Sequence, residues 1–183
     1  HRVDRRQRQM CIRDRTNTAS ETTVFTYTIP ANTIGTARNL VLKFWGSAIN
    51  NNGTGQELRL RVKLGSTTIC DMGSGVSLTN SANARPVKLE TKIVPLSATN
   101  SQRTFCEVGI AAASGTTGTL GQLIGNYTTL GVNASSSEDT TTSLALVVTA
   151  DFDAATNVSF TGLNGSVEPV SYTHLRAHET KAN

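Results

Sequence analysis

The run Glu57-Leu58-Arg59-Leu60-Arg61-Val62-Lys63-Leu64 constrains this chain more than any other stretch, because every even position is apolar and every odd position charged. A period of two puts the apolar side chains on one face of an extended strand and the charged ones on the other, so the segment is a half-buried antiparallel strand. A helix would scatter both sets around its axis and force charge into the core. Upstream, Asn50 to Gly55 reads Asn-Asn-Asn-Gly-Thr-Gly, a turn signal whose residues tolerate positive φ. Before it, Asn39 to Trp45 is apolar on nearly both faces, and the two strands with their loop predict a β-hairpin over 39–64.

Other strands follow from the same period. Thr23 to Ile29 sets Phe25, Tyr27 and Ile29 on one face before Pro30 stops it, and Thr67 to Met72 follows the Gly65-Ser66 turn. Pro86 to Pro95 places Val87, Leu89, Thr91 and Ile93 opposite Lys88, Glu90 and Lys92. Arg103 to Ala111 turns Thr104, Cys106, Val108 and Ile110 inward, and Ser143 to Phe152 aligns Leu144, Leu146, Val148, Ala150 and Phe152. Val158 to Leu163 closes the set, while 114–138 is Gly-, Thr-, Ser- and Asn-rich and reads as long loops with one short strand at most. With 16% charged residues, no segment of helical period and no internal repeat, the chain is all-β, an antiparallel β-sandwich. Its 183 residues are enough for one domain with a core of its own, and no run of about 18 apolar residues is available to cross a membrane as a helix.

The two ends differ from the rest. Segment 5–15 reads RRQRQMCIRDR and segment 170–180 reads VSYTHLRAHET. Both resemble translations of the transposase-type adapters ligated to DNA fragments for sequencing, each at the correct end and in the correct orientation. The resemblance implies that 1–15 and 170–183 are artefactual and carry no fold, leaving 16–169 as the native segment. It also implies a gene fragment from mixed environmental DNA, since Met72 is the sole methionine of 16–169 and lies mid-chain. The charge then changes sign: the whole chain is +4, but 16–169 holds nine basic against ten acidic residues. Six arginines within the first fifteen positions would otherwise suggest a nucleic-acid-binding arm. Set aside with the adapter, they give no reason to expect nucleic acid as a partner.

Chemistry has few candidates in 16–169. All three histidines (His1, His174, His178) fall in the flanks, so the usual general base is missing, and no GxSxG, P-loop or dinucleotide fingerprint occurs. Cys70 and Cys106 are too few for a zinc site; they read either as small buried apolar residues or as a disulfide. Asp151 and Asp153, two apart at a strand end with Glu138-Asp139 in reach, could supply oxygen ligands for calcium, against the plainer reading of solvated strand-end charges. Five N-x-S/T sequons, at Asn52, Asn126, Asn133, Asn157 and Asn164, accord with the composition and matter only in a eukaryotic secreted protein. No catalytic, cofactor-binding or metal-ligating residue is expected.

The string TVFTYTIPANTIGTARNLVLKFWGSAINNNGTGQELRLRVKLGSTTI, with Asn83-Ala84-Arg85-Pro86 and Ser137-Glu138-Asp139-Thr140 ahead of later strands, resembles a β-sandwich domain of tailed-phage virion proteins over most of 20–165. The resemblance implies a jelly-roll-like fold on a tail fibre, spike or capsid decoration, often trimeric and located in the extracellular particle. None of the matching motifs is catalytic. The expectation is therefore a nonenzymatic virion domain with polar loops (50–55, 73–85 and 114–139) suited to host-surface binding. A carbohydrate-binding or adhesin module of a bacterial surface protein and a small-virus coat protein are the alternatives. In Asn39 to Trp45, Leu40, Leu42 and Phe44 face one way and Val41 and Trp45 the other, with Lys43 between them. That second apolar face requires cover from a loop or from another subunit, and the polar 114–139 segment favours the subunit. A chain trimmed to 16–169 is expected to melt within a few degrees of the full chain in a thermal scan; a large loss of stability would show the ends to be integral.

Overall fold

Each strand with a two-residue apolar period turns that face inward, and the inward faces enclose one core between two antiparallel sheets. The computed structural model describes residues 11–12, 14–111 and 134–171. In chain order the strands are β1 (Cys11–Ile12), β2 (Asp14–Thr16), β3 (Thr22–Ile29), β4 (Arg38–Asn50), β5 (Gln56–Leu64), β6 (Thr67–Asp71), β7 (Val76–Leu78), β8 (Ser81–Ala98), β9 (Ser101–Ile110), β10 (Ala134–Ser136), β11 (Leu144–Phe152) and β12 (Val158–Ser171). The first sheet runs β1-β3-β11-β5-β6, with β7 also paired to β5; the second runs β10-β9-β8-β4-β12-β2. No helix occurs among the described residues, and the architecture is an antiparallel β-sandwich.

The predicted faces are the buried ones. Leu58, Leu60, Val62 and Leu64 of β5, Val87, Leu89, Thr91 and Ile93 of β8, and Thr104, Cys106, Val108 and Ile110 of β9 are all buried. The same holds for Leu144, Leu146, Val148, Ala150 and Phe152 of β11. In β3 the register slips beside Val24, so Val24 and Phe25 are both buried while Tyr27 is only partly so.

The hairpin predicted over 39–64 is not formed. β4 pairs with β8 and β12 in one sheet, whereas β5 pairs with β11, β6 and β7 in the other. The loop between them is a crossover. Asn50 is fully buried at the corner, where its Nδ2 donates to the carbonyl oxygens of Thr54 at 2.8 Å and Leu78 at 2.7 Å. Alternation names the face a strand buries and is silent on its neighbour, so two strands can satisfy the same pattern by facing each other across a core.

Strand ends also differ from expectation. β8 begins at Ser81 and β7 lies within 73–85, so that stretch is not one loop. β12 continues from Leu163 to Ser171 along the whole of β4, past a bulge between Gly162 and Asn164 that breaks the alternation. Of the long polar region, Ala134–Ser136 pairs with β9 and 112–133 lies outside the described residues. The boundaries read at 15/16 and 169/170 do not coincide with element ends. Cys11–Ile12 pairs with β3, Asp14–Thr16 pairs with β12, and β12 runs through Ser171; residues 1–10, 13 and 172–183 lie outside the described residues.

The centre of the core is aromatic. Phe44 stacks on Phe160 with ring centroids 6.2 Å apart, and Phe25 from the opposite sheet meets Phe44 at 5.8 Å in a tilted arrangement. Phe25 reaches that place because Gly165 of β12 has no side chain: a Cβ there would stand 2.6 Å from the Phe25 Cε2. Gly165→Ala is therefore expected to destabilise the chain by roughly 1–3 kcal/mol, as over-packing of a filled core does, measurable as a lower urea midpoint with unchanged slope.

Candidate functional site

The outward positions of β5 meet acids from three other segments. Arg59 donates through Nε and Nη2 to the two carboxylate oxygens of Asp71, both at 2.7 Å. Arg61 bridges three carboxylates: Asp71 through Nε at 3.1 Å, and Asp151 at 2.6 Å and Glu21 at 3.0 Å through Nη1. Lys63 also pairs with Glu21, whose third partner is the Thr149 hydroxyl at 2.7 Å. Arg61 is only 13% exposed, so its charge is held close to its partners rather than in solvent. The Lys63 hydrogen bond is the main cause that holds the Glu21 carboxyl below the usual carboxylate range. For Asp71, burial pushes upward, but hydrogen bonds from Arg59, the Gly73 N–H and Arg61 outweigh it and hold the carboxyl low.

The acids singled out for calcium are not brought together. Asp151 belongs to the ion-pair ladder, while Asp153 accepts the Glu57 N–H at 2.9 Å and fastens the start of β5. Glu138 stands at the other end of β5, accepting the Ser66 N–H at 2.9 Å, the Ser66 hydroxyl at 2.8 Å and the Thr67 hydroxyl at 2.7 Å. Asp139 accepts the N–H and hydroxyl of Thr141. Among the described residues no group of three or more His, Cys, Asp or Glu is arranged to hold a metal ion.

The outer face of the second sheet is built differently. Across β4, β8 and β9 it presents the rows Val41–Lys92–Phe105, Lys43–Glu90–Glu107 and Trp45–Lys88–Gly109. Trp45 is 36% exposed, Phe105 47% and Leu163 60%, and Val41 is half-buried. Lys43 lies beside Glu90 in register, and the Glu90 carboxylate is 3.5 Å from Lys88. Among the described residues no loop covers Trp45, so this face is the candidate interaction surface.

At the end of the sandwich where β4 crosses to β5, polar loops gather. The Gly53 N–H donates to Asn80 Oδ1 at 2.8 Å and the Asn51 N–H to the Asn157 carbonyl at 2.9 Å. Beneath them Arg85 is fully buried, with Nη2 donating to the Thr79 carbonyl and, at 2.9 Å, to its hydroxyl; burial pushes its pKa down. Sequence reasoning missed this burial by assigning Arg85 to a loop. The signal was present, since Arg85 is in phase with Val87, Leu89, Thr91 and Ile93 on the inward side of β8.

No family model matches the chain, and no curated protein matches it. A solved structure, of infectious bursal disease virus Gx strain, is similar over 89% of this chain and 40% of that chain, at 16% identity and a TM-score of 0.30. The chain thus spans less than half the length of that one, and so distant a likeness describes no function.

The ion-pair ladder sets a pH dependence. Glu21 and Asp71 are lowered in the folded chain, so their stabilising contribution is present above the unfolded carboxylate range, about pH 4, and is lost as pH falls through the folded values. Arg61→Ala leaves three carboxylates facing one another. It is expected to cost roughly 1–2 kcal/mol at pH 7 after allowance for the partly exposed partners, and the difference from the parent should shrink as pH falls through the lowered folded carboxyl values of Glu21 and Asp71, read by chemical denaturation.

Proposed function

We propose that this chain is a nonenzymatic structural domain of a virus particle that associates with further copies of itself through the outer face of its second sheet. The observation that carries the reading is the exposure of Trp45 and Phe105, with half-buried Val41, on the outer face of one sheet, while the other sheet closes its outer face with its own ion pairs. A two-layer sandwich requires one apolar face per strand, and β4 has two. The resemblance to tailed-phage virion domains supplies the setting, a tail fibre, spike or head decoration in the extracellular particle, and favours threefold association. The use of the carboxylates supports a structural role, because Glu21, Asp71, Asp151, Asp153 and Glu138 are each engaged by side chains or backbone that an acid or base would have to release. Contact with a host surface falls to the polar loops around Asn51, Gly53 and Asn80.

Light scattering coupled to size exclusion tests the association. The chain is expected to run as an oligomer at micromolar concentration, and Trp45→Ser with Phe105→Ser, both at exposed positions, to yield a folded monomer. A parent chain that stays monomeric at high micromolar concentration overturns the reading.

A further inference from the structure

Cys70 and Cys106 belong to different sheets and meet in the core. Cys70 lies on β6, the edge strand of the first sheet, and Cys106 on β9 of the second; both are buried, and both are free thiols. The register of β5 with β6 slips between Val62 and Lys63, which leaves Ile69 and Cys70 both buried. The Cys106 thiol donates to the Ile69 carbonyl at 3.7 Å and accepts from the Thr91 hydroxyl at 3.7 Å, so it sits against the backbone immediately preceding Cys70. Each sulphur is the largest influence on the other. Contact with Cys106, then burial, pushes the Cys70 thiol up, whereas hydrogen bonding from Cys70 favours the thiolate of Cys106.

We propose that Cys70 and Cys106 form an inter-sheet disulfide when the chain meets a small-molecule disulfide oxidant such as oxidised glutathione. Among the described residues no backbone ladder joins the two sheets in this region, only the thiol contact of Cys106 with the Ile69 carbonyl, so a covalent bond here would tie β6 to the opposite layer rather than duplicate an existing ladder. The edge position of β6 provides the route. When β6 opens, the Cys70 thiolate attacks the oxidant, forming a mixed disulfide and releasing one small thiolate, which takes up the proton lost by Cys70. When β6 closes, the Cys106 thiolate attacks the Cys70 sulphur and releases the second small thiolate, which takes up the proton lost by Cys106. Two protein thiols and one small disulfide thus become one protein disulfide and two small thiols.

The bond would close a loop of some thirty-odd residues, between Cys70 and Cys106, and so constrain the unfolded chain. The inference is independent of the proposed association, because the cross-link lies within one chain.

The test is tryptic mass mapping of the full chain after equilibration under native conditions with oxidised glutathione or with dithiothreitol, followed by alkylation in denaturant. Peptides 64–88 and 104–176 are expected to appear linked after oxidation and separate after reduction, with Cys11 identified apart in peptide 9–13. The melting temperature is expected to rise on oxidation by roughly 10 °C, independently of protein concentration, and this rise should be absent in Cys70→Ala and Cys106→Ser. Complete alkylation of both cysteines after prolonged oxidation overturns the proposal, and so does linkage of either to Cys11 or to another chain. Mapping the parent chain decides the matter even if a variant fails to fold.

Discussion

The close approach of Phe25 to Gly165 joins the two sheets at the centre of the core, where a side chain at 165 would have no room. Phe25 comes from β3, Gly165 and Phe160 from β12, and Phe44 from β4, so the contact couples strands far apart in sequence and lying in both layers. Gly46 repeats the device within the second sheet, where the Phe160 ring occupies the space a Cβ would need. Two glycines thereby make room for two of the three central rings, Phe25 and Phe160, and Phe44 packs against both. The glycines carry an entropic penalty in extended strands, which the ring contacts must exceed.

The outer faces divide the remaining work unequally. On the first sheet the charged period of β5 would be a string of like charges if left alone, with Arg59, Arg61 and Lys63 at alternate positions. Asp71 from β6, Asp151 from β11 and Glu21 from the segment before β3 neutralise it, and they also tie three separate parts of the chain to β5. Removing the central arginine does more than delete one pair, because the acids it separates then repel each other. At one end of β5, Glu138 reaches across to the Gly65-Ser66 turn, and at the other Asp153 holds the Glu57 amide. The first sheet is thus pinned at both ends and along its outer face by groups of the same chain.

Much of this was legible in the sequence, and the failures share a physical cause. A period of two states which side chains go inward, and the inward sets of β5, β8, β9 and β11 followed directly. It does not state which strand lies alongside, so β4 and β5 could be read as a hairpin although they belong to opposite sheets. Bulges hide residues in another way. The extra residue at Leu163 reverses the inward-outward phase from Asn164 onward, so the second half of β12 does not look like a continuation of the first. Pro169 compounds the effect, although among the described residues β12 pairs here with β4 alone, and a proline without an N–H is tolerated on a strand side that carries no ladder. Arg85 lies inside β8, which extends back to Ser81 beyond the Pro86 start that the pattern suggests, so its inward phase belongs to the strand and not to a loop. The ion-pair ladder was half visible: its bases stand in one strand, but its acids come from residues 21, 71 and 151, which only the fold assembles.

The two outer faces differ in what it costs to cover them, and that difference orients any contact the sandwich makes. Covering the first would strip water from a dense set of charges already satisfied within the chain, and their mutual attraction gains nothing from a partner that supplies no new charge. Covering the second removes Trp45 and Phe105 from water, a gain proportional to area, while Lys43, Lys88 and Lys92 can keep their ammonium groups hydrated and the carboxylates Glu90 and Glu107 must find partners. Lysine suits that task because its stem lies along apolar surface while its charge stays hydrated. The acids Glu90 and Glu107 stand in the middle row of the same face, next to Lys43, so a second copy arriving in a rotated orientation would find both signs of charge to match. The proposed self-association draws on this mixture of charge and on the aromatic groups at the corners of the face, which the closed ladder of the first sheet does not offer.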